Sequence, residues 1–441
     1  MPAQLRRNLT RVAGVDTQQR PAPTIPTPAV AVIYAAALGA LIWHLFAVPL
    51  FDGYGLFTNG VDTKVYRGGA RAVLDGRHLY DAPAYRYWWF TYPPFAALTM
   101  LPLALVSQAH AIRLMEVATV VCLFLFIVLT LRGLGFRCDR RFWATAVAAT
   151  IAATLLEPVH TTIWQGQVNL ILAVLIVGCL TLPVGRWRGT GVGLAAGIKL
   201  TPILFVAYLV ITRQFRAALT AAAVFAATVA VGLVVLRDQA WNYWRNLGDT
   251  AHIGVESAPA NQSIHGLLAR LGVLGVWQAP TWLWVPLGVV AGCVGLYAAW
   301  RAQQAGATIL AITLVGMTTC AIAPFSWGHH WIWIVPLLLL AVLWAGDSVR
   351  CGRPRTWVRW LVPAAIAVGG LAWRVQEPLG GRLVWRTGSF RVFWTPGAHG
   401  WQAALAVAGS ASYLVIFAGS VAATLWWSGR ARRLEDASRS G

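Results

Sequence analysis

The sequence predicts an all-α, polytopic integral membrane protein. Three observations carry this. Hydrophobic residues make up 58% of the chain and charged residues only 11%, against roughly 25% charged in an average soluble domain. The apolar residues fall into runs close to the roughly 20 residues that a helix needs to cross a bilayer. The polar residues sit in short loops between these runs, and arginines gather at both ends of the chain. The excess of 35 Lys and Arg over 15 Asp and Glu would suggest nucleic acid on a soluble fold with a basic stripe. Here the arginines flank apolar spans, where they anchor a chain against the cytoplasmic membrane face. Membrane lipids are therefore expected partners, and nucleic acid is not.

Residues 1–28 carry Arg6, Arg7, Arg11 and Arg20 before "PAPTIPTP" and read as a cytoplasmic amino tail. The first apolar run begins near Ala29, too far from the start for a cleaved signal peptide. A single transmembrane domain is expected over 29–427, with apolar segments at 29–50, 111–131, 142–157, 169–185, 217–236, 282–300, 307–323, 331–346, 357–373 and 402–427. Two more segments are less regular: 93–106 is short, and 190–211 contains Lys199 and Pro202. They read either as full spans or as broken hairpins lining a cavity. The expected total is 10–12 transmembrane segments, an even number. The basic tail 428–441, containing "RARRLEDASRSG", then shares the cytoplasm with the amino tail. On this count the loops 51–92 and 237–281 and the segment "SWGHH" (326–330) all face outside the cytoplasm. The six cysteines contain no C-x-x-C pair, so neither a zinc site nor a redox motif is suggested.

The loop 51–92 is the first of these polar segments. Within "GLFTNGVDTKVYRGGARAVLDGRHLYD" (55–81), Asp62, Tyr66, Gly69 and Val73 follow one helical face, and Arg67 and Arg71 follow another. This predicts a short helix lying in the membrane interface. The stretch "YRYWWFTYPPF" is aromatic, as expected at headgroup depth. Pro93 and Pro94 suit the first turn of the next helix. Asp62 fits two roles: a helix N-cap, or a carboxylate facing inward at the membrane surface.

"VDTKVYRGGARAVLDGRHLYD" and "FTYPPFAAL", followed by "WQGQVNLIL", "GLAAGIKLTPILF" and "SWGHHWIWIVPLLLL", resemble glycosyltransferase family 87. That family belongs to the GT-C superfamily of membrane enzymes that use lipid-phosphate-linked sugars. The resemblance covers roughly residues 60–345. Within the family the chain is similar to actinobacterial polyprenol-phosphate-mannose-dependent α-mannosyltransferases that extend phosphatidylinositol mannosides; arabinofuranosyltransferases share the architecture. The resemblance implies a GT-C helical bundle at the plasma membrane and an extracytoplasmic active site. It also implies a polyprenyl-phosphate-sugar donor, a glycolipid acceptor and an α-(1→2) linkage made with inversion. It places the catalytic base at Asp62 and the family's histidine pair at His329 and His330.

The chemistry fits that pattern. A polyprenyl phosphate departs without strong acid help, so one carboxylate suffices to take the acceptor's proton. A hydrolase acting on a glycosidic alkoxide needs two carboxylates. The leaving phosphate needs donors aimed at it, and the candidates are His329, His330, Arg67, Arg86 and Lys199. Candidate sugar ligands are Tyr66 in the first loop and Gln165, Gln167 and Asn169 in "EPVHTTIWQGQVN". On the acceptor side, Asn261, Gln262 and His265 in the loop 237–281 are expected. Adjacent histidines on a helix point about 100° apart, so no metal is expected and no other cofactor is called for. The rival from another class is a lipid or sugar transporter, which also carries broken helices and intramembrane charge.

Overall fold

The structure is a computed structural model in which residues 22–51, 53–250, 252–352, 356–371, 374–379, 382–387 and 400–439 are described. Most of the expected amino tail, residues 1–21, lies outside the described residues. The first helices in chain order are α1 (Thr27–Ile42), extended by a π-helical turn over Trp43–Ala47, then α2 (Val61–Leu74), α3 (Pro94–Thr99), α4 (Leu101–Ala104) and α5 (Gln108–Gly133). Next come α6 (Arg140–Ala153), α7 (Glu157–Gln165), α8 (Asn169–Thr181), α9 (Thr190–Ile198), α10 (Leu204–Ile211) and α11 (Phe215–Arg245). The last helices are α12 (Ile264–Val273), α13 (Trp284–Gln304), α14 (Thr308–Ile322), α15 (Ile334–Arg350), α16 (Thr356–Gly370), α17 (Trp401–Ser410) and α18 (Ser412–Arg439). Between α16 and α17, β1 (Arg374–Leu379) pairs antiparallel with β2 (Arg382–Thr387), the one sheet among the described residues.

This is the architecture of a multi-pass, all-α membrane protein. Five described helices are long and apolar enough to cross a bilayer: Thr27–Ala47, Gln108–Gly133, Phe215–Arg245, Thr281–Gln304 and Ser412–Arg430. The pair α7 and α8, bent by 116° at its junction, would make a sixth if it counts as one broken span. Other expected spans appear as shorter helices of 14 to 17 residues, or roughly 21–26 Å at 1.5 Å per residue.

Several boundaries differ from the sequence reading for local reasons. The segment 93–106 is two short helices, α3 and α4, separated at Met100 ahead of Pro102. The segment 190–211 breaks at Lys199, whose backbone is extended (φ −146°, ψ 122°) just before Pro202 re-initiates a 3₁₀ turn. Helices α8 and α14 stop early because Leu182 and Ala323 precede prolines and take extended ψ values of 155° and 146°. The run 402–427 is interrupted at Ala411, between α17 and α18. The stretch 157–169, which lies at the junction between two expected apolar segments, opens with nine helical residues. The basic carboxyl tail is helical to Arg439.

By their contacts the described residues form two compact units. One is built from Trp43–Phe126 and Val159–Glu256, the other from the described parts of Met1–Ile42, Ile127–Pro158 and Ser257–Gly441. In the first unit the closest helix packing joins α9 to α11. Gly189, Gly193 and Gly197 recur every four residues, so they share one face of α9. A Cβ added to them would lie 2.1 Å from the Ala217 carbonyl oxygen, 2.5 Å from that of Ala221 and 2.3 Å from Thr228 Oγ1. In lipid the gain on helix association comes from close packing rather than from water release, and small residues permit it.

Candidate active site

The site is built on α2. Gly60 adopts the left-handed conformation (φ 60°) and leads the chain into the helix. At the other end, Gly76 (φ 64°) closes the helix. Its N–H bonds the Val73 carbonyl, and the Arg77 N–H bonds the Ala72 carbonyl, the double bond of a Schellman terminus. Gly68 and Gly69 let the returning loop lie directly against α2. A Cβ on them would meet the Ala84 carbonyl oxygen at 2.1 Å and the Phe90 ring at 2.4 Å.

The bend between α7 and α8 packs on the start of α2. Gly60 N–H donates to the Trp164 carbonyl (2.8 Å), and Thr63 Oγ1 donates to the Gly166 carbonyl (3.2 Å). Gly166 is left-handed (φ 73°), and a Cβ there would fall 2.0 Å from Thr63 Oγ1. Trp164 Nε1 also donates to Thr58 Oγ1 (3.0 Å), and His160 Nε2 lies 2.9 Å from the Tyr54 carbonyl oxygen. The bend therefore fixes the loop that precedes α2 and carries Gln167 beneath the helix.

Asp62 occupies the first turn of α2 rather than its N-cap, which is Gly60. The carboxylate is half-buried and accepts a hydrogen bond from Gln167. Burial raises its pKa from 3.8 to about 6, while the Gln167 bond and the Lys199 charge pull it down. Tyr66 Oη donates to Gln167 Oε1 (2.9 Å) and lies 3.1 Å from Tyr92 Oη. Gln167 Nε2 donates to Tyr92 Oη (3.2 Å). Both phenols are pushed above their ordinary pKa by burial, with the Asp62 charge adding to the shift. Lys199 Nζ donates to Asn169 Oδ1 (3.0 Å) and sits 5.7 Å from the centre of the Tyr92 ring. One unit thus holds Asp62, Tyr66, Gln167, Asn169 and Lys199 together: a carboxylate of near-neutral pKa, a cation and a set of polar hydroxyls and amides.

The remaining candidates of this unit lie elsewhere on it. Arg67 donates from Nε (3.2 Å) and Nη2 (2.9 Å) to the Val106 carbonyl, and Arg71 Nη2 donates to that of Ala104 (3.4 Å). Arg86 is left-handed (φ 53°) and sits 5.5 Å from the Tyr85 ring centre. Gln165 Oε1 is buried with no hydrogen-bond partner among the described residues.

The second unit carries the other candidates. His329 and His330 lie on the 3₁₀ turn Gly328–Trp331, their rings edge to face with centroids 4.7 Å apart. His329 is buried, and His330 N–H donates to the Trp327 carbonyl (2.8 Å). Gly328 rests on the Glu157 carboxylate: a Cβ there would lie 2.4 Å from Glu157 Oε2, which also accepts from Tyr413 Oη. Asn261 and Gln262 are fully buried. Asn261 Oδ1 accepts from Ser263 Oγ (2.9 Å) and Ser326 N–H (2.9 Å), and Gln262 Nε2 donates to the Ser410 (2.5 Å) and Pro259 (2.7 Å) carbonyls. His265 Nδ1 lies 3.2 Å from the Pro324 carbonyl oxygen. These side chains tie the 257–265 loop to the turn before the histidines. Arg270, fully buried, completes the tie through the Asn261 (2.6 Å) and Ala258 (3.1 Å) carbonyls and Ser410 Oγ (3.2 Å). Among the described residues no group of three or more His, Cys, Asp or Glu is placed to hold a metal ion.

Tyr92 and Tyr413 are among the residues of the polar networks that the sequence reading did not single out. Tyr92 was read only as part of an aromatic belt, and Tyr413 lies 256 residues from the Glu157 it bonds. Position before a Pro-Pro pair was the one signal for Tyr92, since it forces an extended backbone there.

Comparison with known proteins gives one consistent result. Residues 90–324 match glycosyltransferase family 87. A Mycobacterium tuberculosis protein named polyprenol-phosphate-mannose-dependent α-(1-2)-phosphatidylinositol mannoside mannosyltransferase is 33% identical over 322 residues, covering 69% of this chain and 73% of the relative. A second M. tuberculosis relative, named for the phosphatidylinositol pentamannoside acceptor, is 31% identical and covers 87% and 88%. A Mycolicibacterium smegmatis relative of that same name is 32% identical and covers 82% and 87%. No solved structure matches the chain.

Proposed function

Because the chain belongs to glycosyltransferase family 87, we propose that it transfers mannose from polyprenyl-phosphate-mannose to a phosphatidylinositol mannoside or related lipoglycan. The transfer is a single displacement that forms an α-(1→2) linkage. Relatives named for two acceptors match about equally well, at 33% and 32% identity, so the acceptor class is kept at phosphatidylinositol mannosides.

The observation that carries this reading is the placement of Asp62. Its carboxylate is partly withdrawn from water beside a hydrogen-bond donor and a cation. As the acceptor oxygen bonds the anomeric carbon, the bond to the phosphate oxygen breaks and the hydroxyl proton passes to Asp62. A base with a pKa of about 6 is mostly ionised at neutral pH and still basic enough to accept that proton. Lys199, whose charge acts on Asp62, suits the negative charge that grows on the departing phosphate. For His329 and His330, on the second unit, a phosphate-binding role is proposed on the family resemblance alone. The site faces the extracytoplasmic side, with both tails in the cytoplasm, on the distribution of basic loops.

The test uses the purified full-length protein in detergent with polyprenyl-phosphate-mannose and a phosphatidylinositol mannoside. The expected product is one hexose heavier and carries a new α-(1→2) bond by linkage analysis. Transfer from polyprenyl-phosphate-arabinose instead, or no product without a sealed compartment, overturns the reading. Lys199→Met is expected to raise the KM for the donor by about tenfold to a hundredfold, the worth of a hydrogen bond to a charged group. An unchanged donor KM removes Lys199 from the phosphate site.

A further inference from the structure

We infer that Glu157 is a positioning residue for the histidine turn: its buried carboxylate, held by Tyr413, is the seat on which the turn carrying His329 and His330 rests. This deepens the phosphate-binding role proposed for the two histidines and rests on it.

Glu157 opens α7, lies in the same unit as the histidines and is 2% exposed. Two observations place its carboxylate. Tyr413 Oη, from a fully buried residue of α18, donates to Oε2. A Cβ added to Gly328 would lie 2.4 Å from Oε2, 2.5 Å from Oε1 and 2.7 Å from the carboxyl carbon. The nearest obstacles at Gly328 are therefore the three atoms of one carboxyl group. Consecutive Cα atoms are about 3.8 Å apart, so this group stands within roughly 8 Å of the His329 Cα.

The same pair meets the far end of the turn. Gly328 and Trp331 are its first and last residues. Gly328 lies on the Glu157 carboxylate, and the fully buried Trp331 packs its ring 5.6 Å from the ring of Tyr413. His329 and His330 are the two residues between these contacts.

A carboxylate withdrawn from water needs donors around it, and it can accept about four hydrogen bonds. Tyr413 supplies one of them. An apolar pair of similar volume would fill the space without burying a charge, and a buried charge is a poor stabiliser. What the Glu157–Tyr413 pair adds is a fixed arrangement, because a satisfied buried polar network tolerates fewer geometries than an apolar contact. Glycine at 328 follows from the same seat. Its backbone is not left-handed, so alanine there is opposed by the carboxylate rather than by backbone strain.

The experiment measures the KM for polyprenyl-phosphate-mannose, the KM for the phosphatidylinositol mannoside, and melting, on the full-length protein in detergent. The variants are Glu157→Gln, Tyr413→Phe, Gly328→Ala, Glu157→Ala and the double variant Glu157→Ala/Gly328→Ala. Glu157→Gln keeps the volume and an acceptor for Tyr413, so it should melt close to wild type. Its donor KM should nevertheless rise by about tenfold, the worth of one hydrogen bond to a charged group, with the acceptor KM unchanged. Tyr413→Phe should move the donor KM in the same direction. Gly328→Ala alone should raise it by about tenfold or more. Added to Glu157→Ala it should cost less than about twofold, since the methyl enters the vacated space and contacting residues are not additive. A merely structural Glu157 would lower the melting temperature and leave the donor KM of the folded enzyme where it was. A wild-type donor KM in folded Glu157→Gln overturns the positioning role, as does a Gly328→Ala penalty of equal size in both backgrounds. If the Glu157 variants do not fold, Tyr413→Phe and Gly328→Ala decide, and a wild-type donor KM in both overturns it. A wild-type donor KM in His329→Ala/His330→Ala instead overturns the phosphate-binding role of the histidines.

Discussion

Asp62→Asn is expected to lower mannosyl transfer by about a hundredfold to ten-thousandfold, the usual worth of a positioned general base, while the protein stays folded. It is also expected to become more heat-stable at pH 7.5. The folded-state pKa of Asp62 is raised from 3.8 to about 6, so folding binds a proton more tightly than the unfolded chain does. The stabilisation linked to the protonated form is complete below the unfolded value, near 4, and is lost as pH rises through 6. At pH 7.5 the ionised carboxylate therefore opposes folding by roughly 3 kcal/mol at most, from two pK units at about 1.4 kcal/mol each. Asparagine removes that opposition. Melting in one detergent at pH 7.5 and at pH 4 checks it: the variant should melt higher at the first pH and level with wild type at the second. Wild-type turnover by Asp62→Asn would end the catalytic assignment, and equal melting at pH 7.5 would end the claim of a raised pKa.

Gly166→Ala should be nearly as damaging without touching a chemical group. The residue is left-handed, and the new methyl would meet Thr63 Oγ1 at 2.0 Å. Left-handed strain at a non-glycine residue costs about 1–2 kcal/mol, and the clash adds to it by pushing α7 and α8 away from α2. The expected result is a lower melting temperature and a fall in kcat of about a hundredfold, the scale of a 1 Å misplacement. Thr63→Ala added to Gly166→Ala should restore part of the melting temperature, since it removes the oxygen but not the backbone strain. Turnover near wild type in Gly166→Ala would show that the bend does not set the position of Asp62.

Some of this was readable in the chain. The α2 helix was, because Asp62, Tyr66, Gly69 and Val73 mark one face and the real helix runs from Val61 to Leu74. The irregular nature of 93–106 and 190–211 was also readable, because Pro102, Lys199 and Pro202 interrupt apolar runs and the helices break beside them. The bend at Gly166 was not. "WQGQVN" looks the same whether it is a surface turn or the floor of a site, and only packing on Thr63 separates the two. Asn261 and Gln262 show the limit from the other side. Amides in a polar stretch suggested sugar ligands, but burial and long-range bonds to Ser326 and Ser410 give them internal partners. The β1–β2 hairpin had a usable signal, Gly380 and Gly381 between two β-prone runs. The expectation of a continuous apolar span to residue 373 obscured it.

The close seam between α9 and α11 bears on how a lipid headgroup is received. Where backbones touch through glycine, no long side chains are present to re-pack, so the two helices move as one stiff strut. Lys199 stands at the end of that strut, immediately after Ile198. Its backbone is anchored where that packing ends, and its ammonium donates to Asn169. On the proposed role of Lys199, an incoming phosphate would meet a charge already in place, and little additional ordering of the protein would oppose its capture.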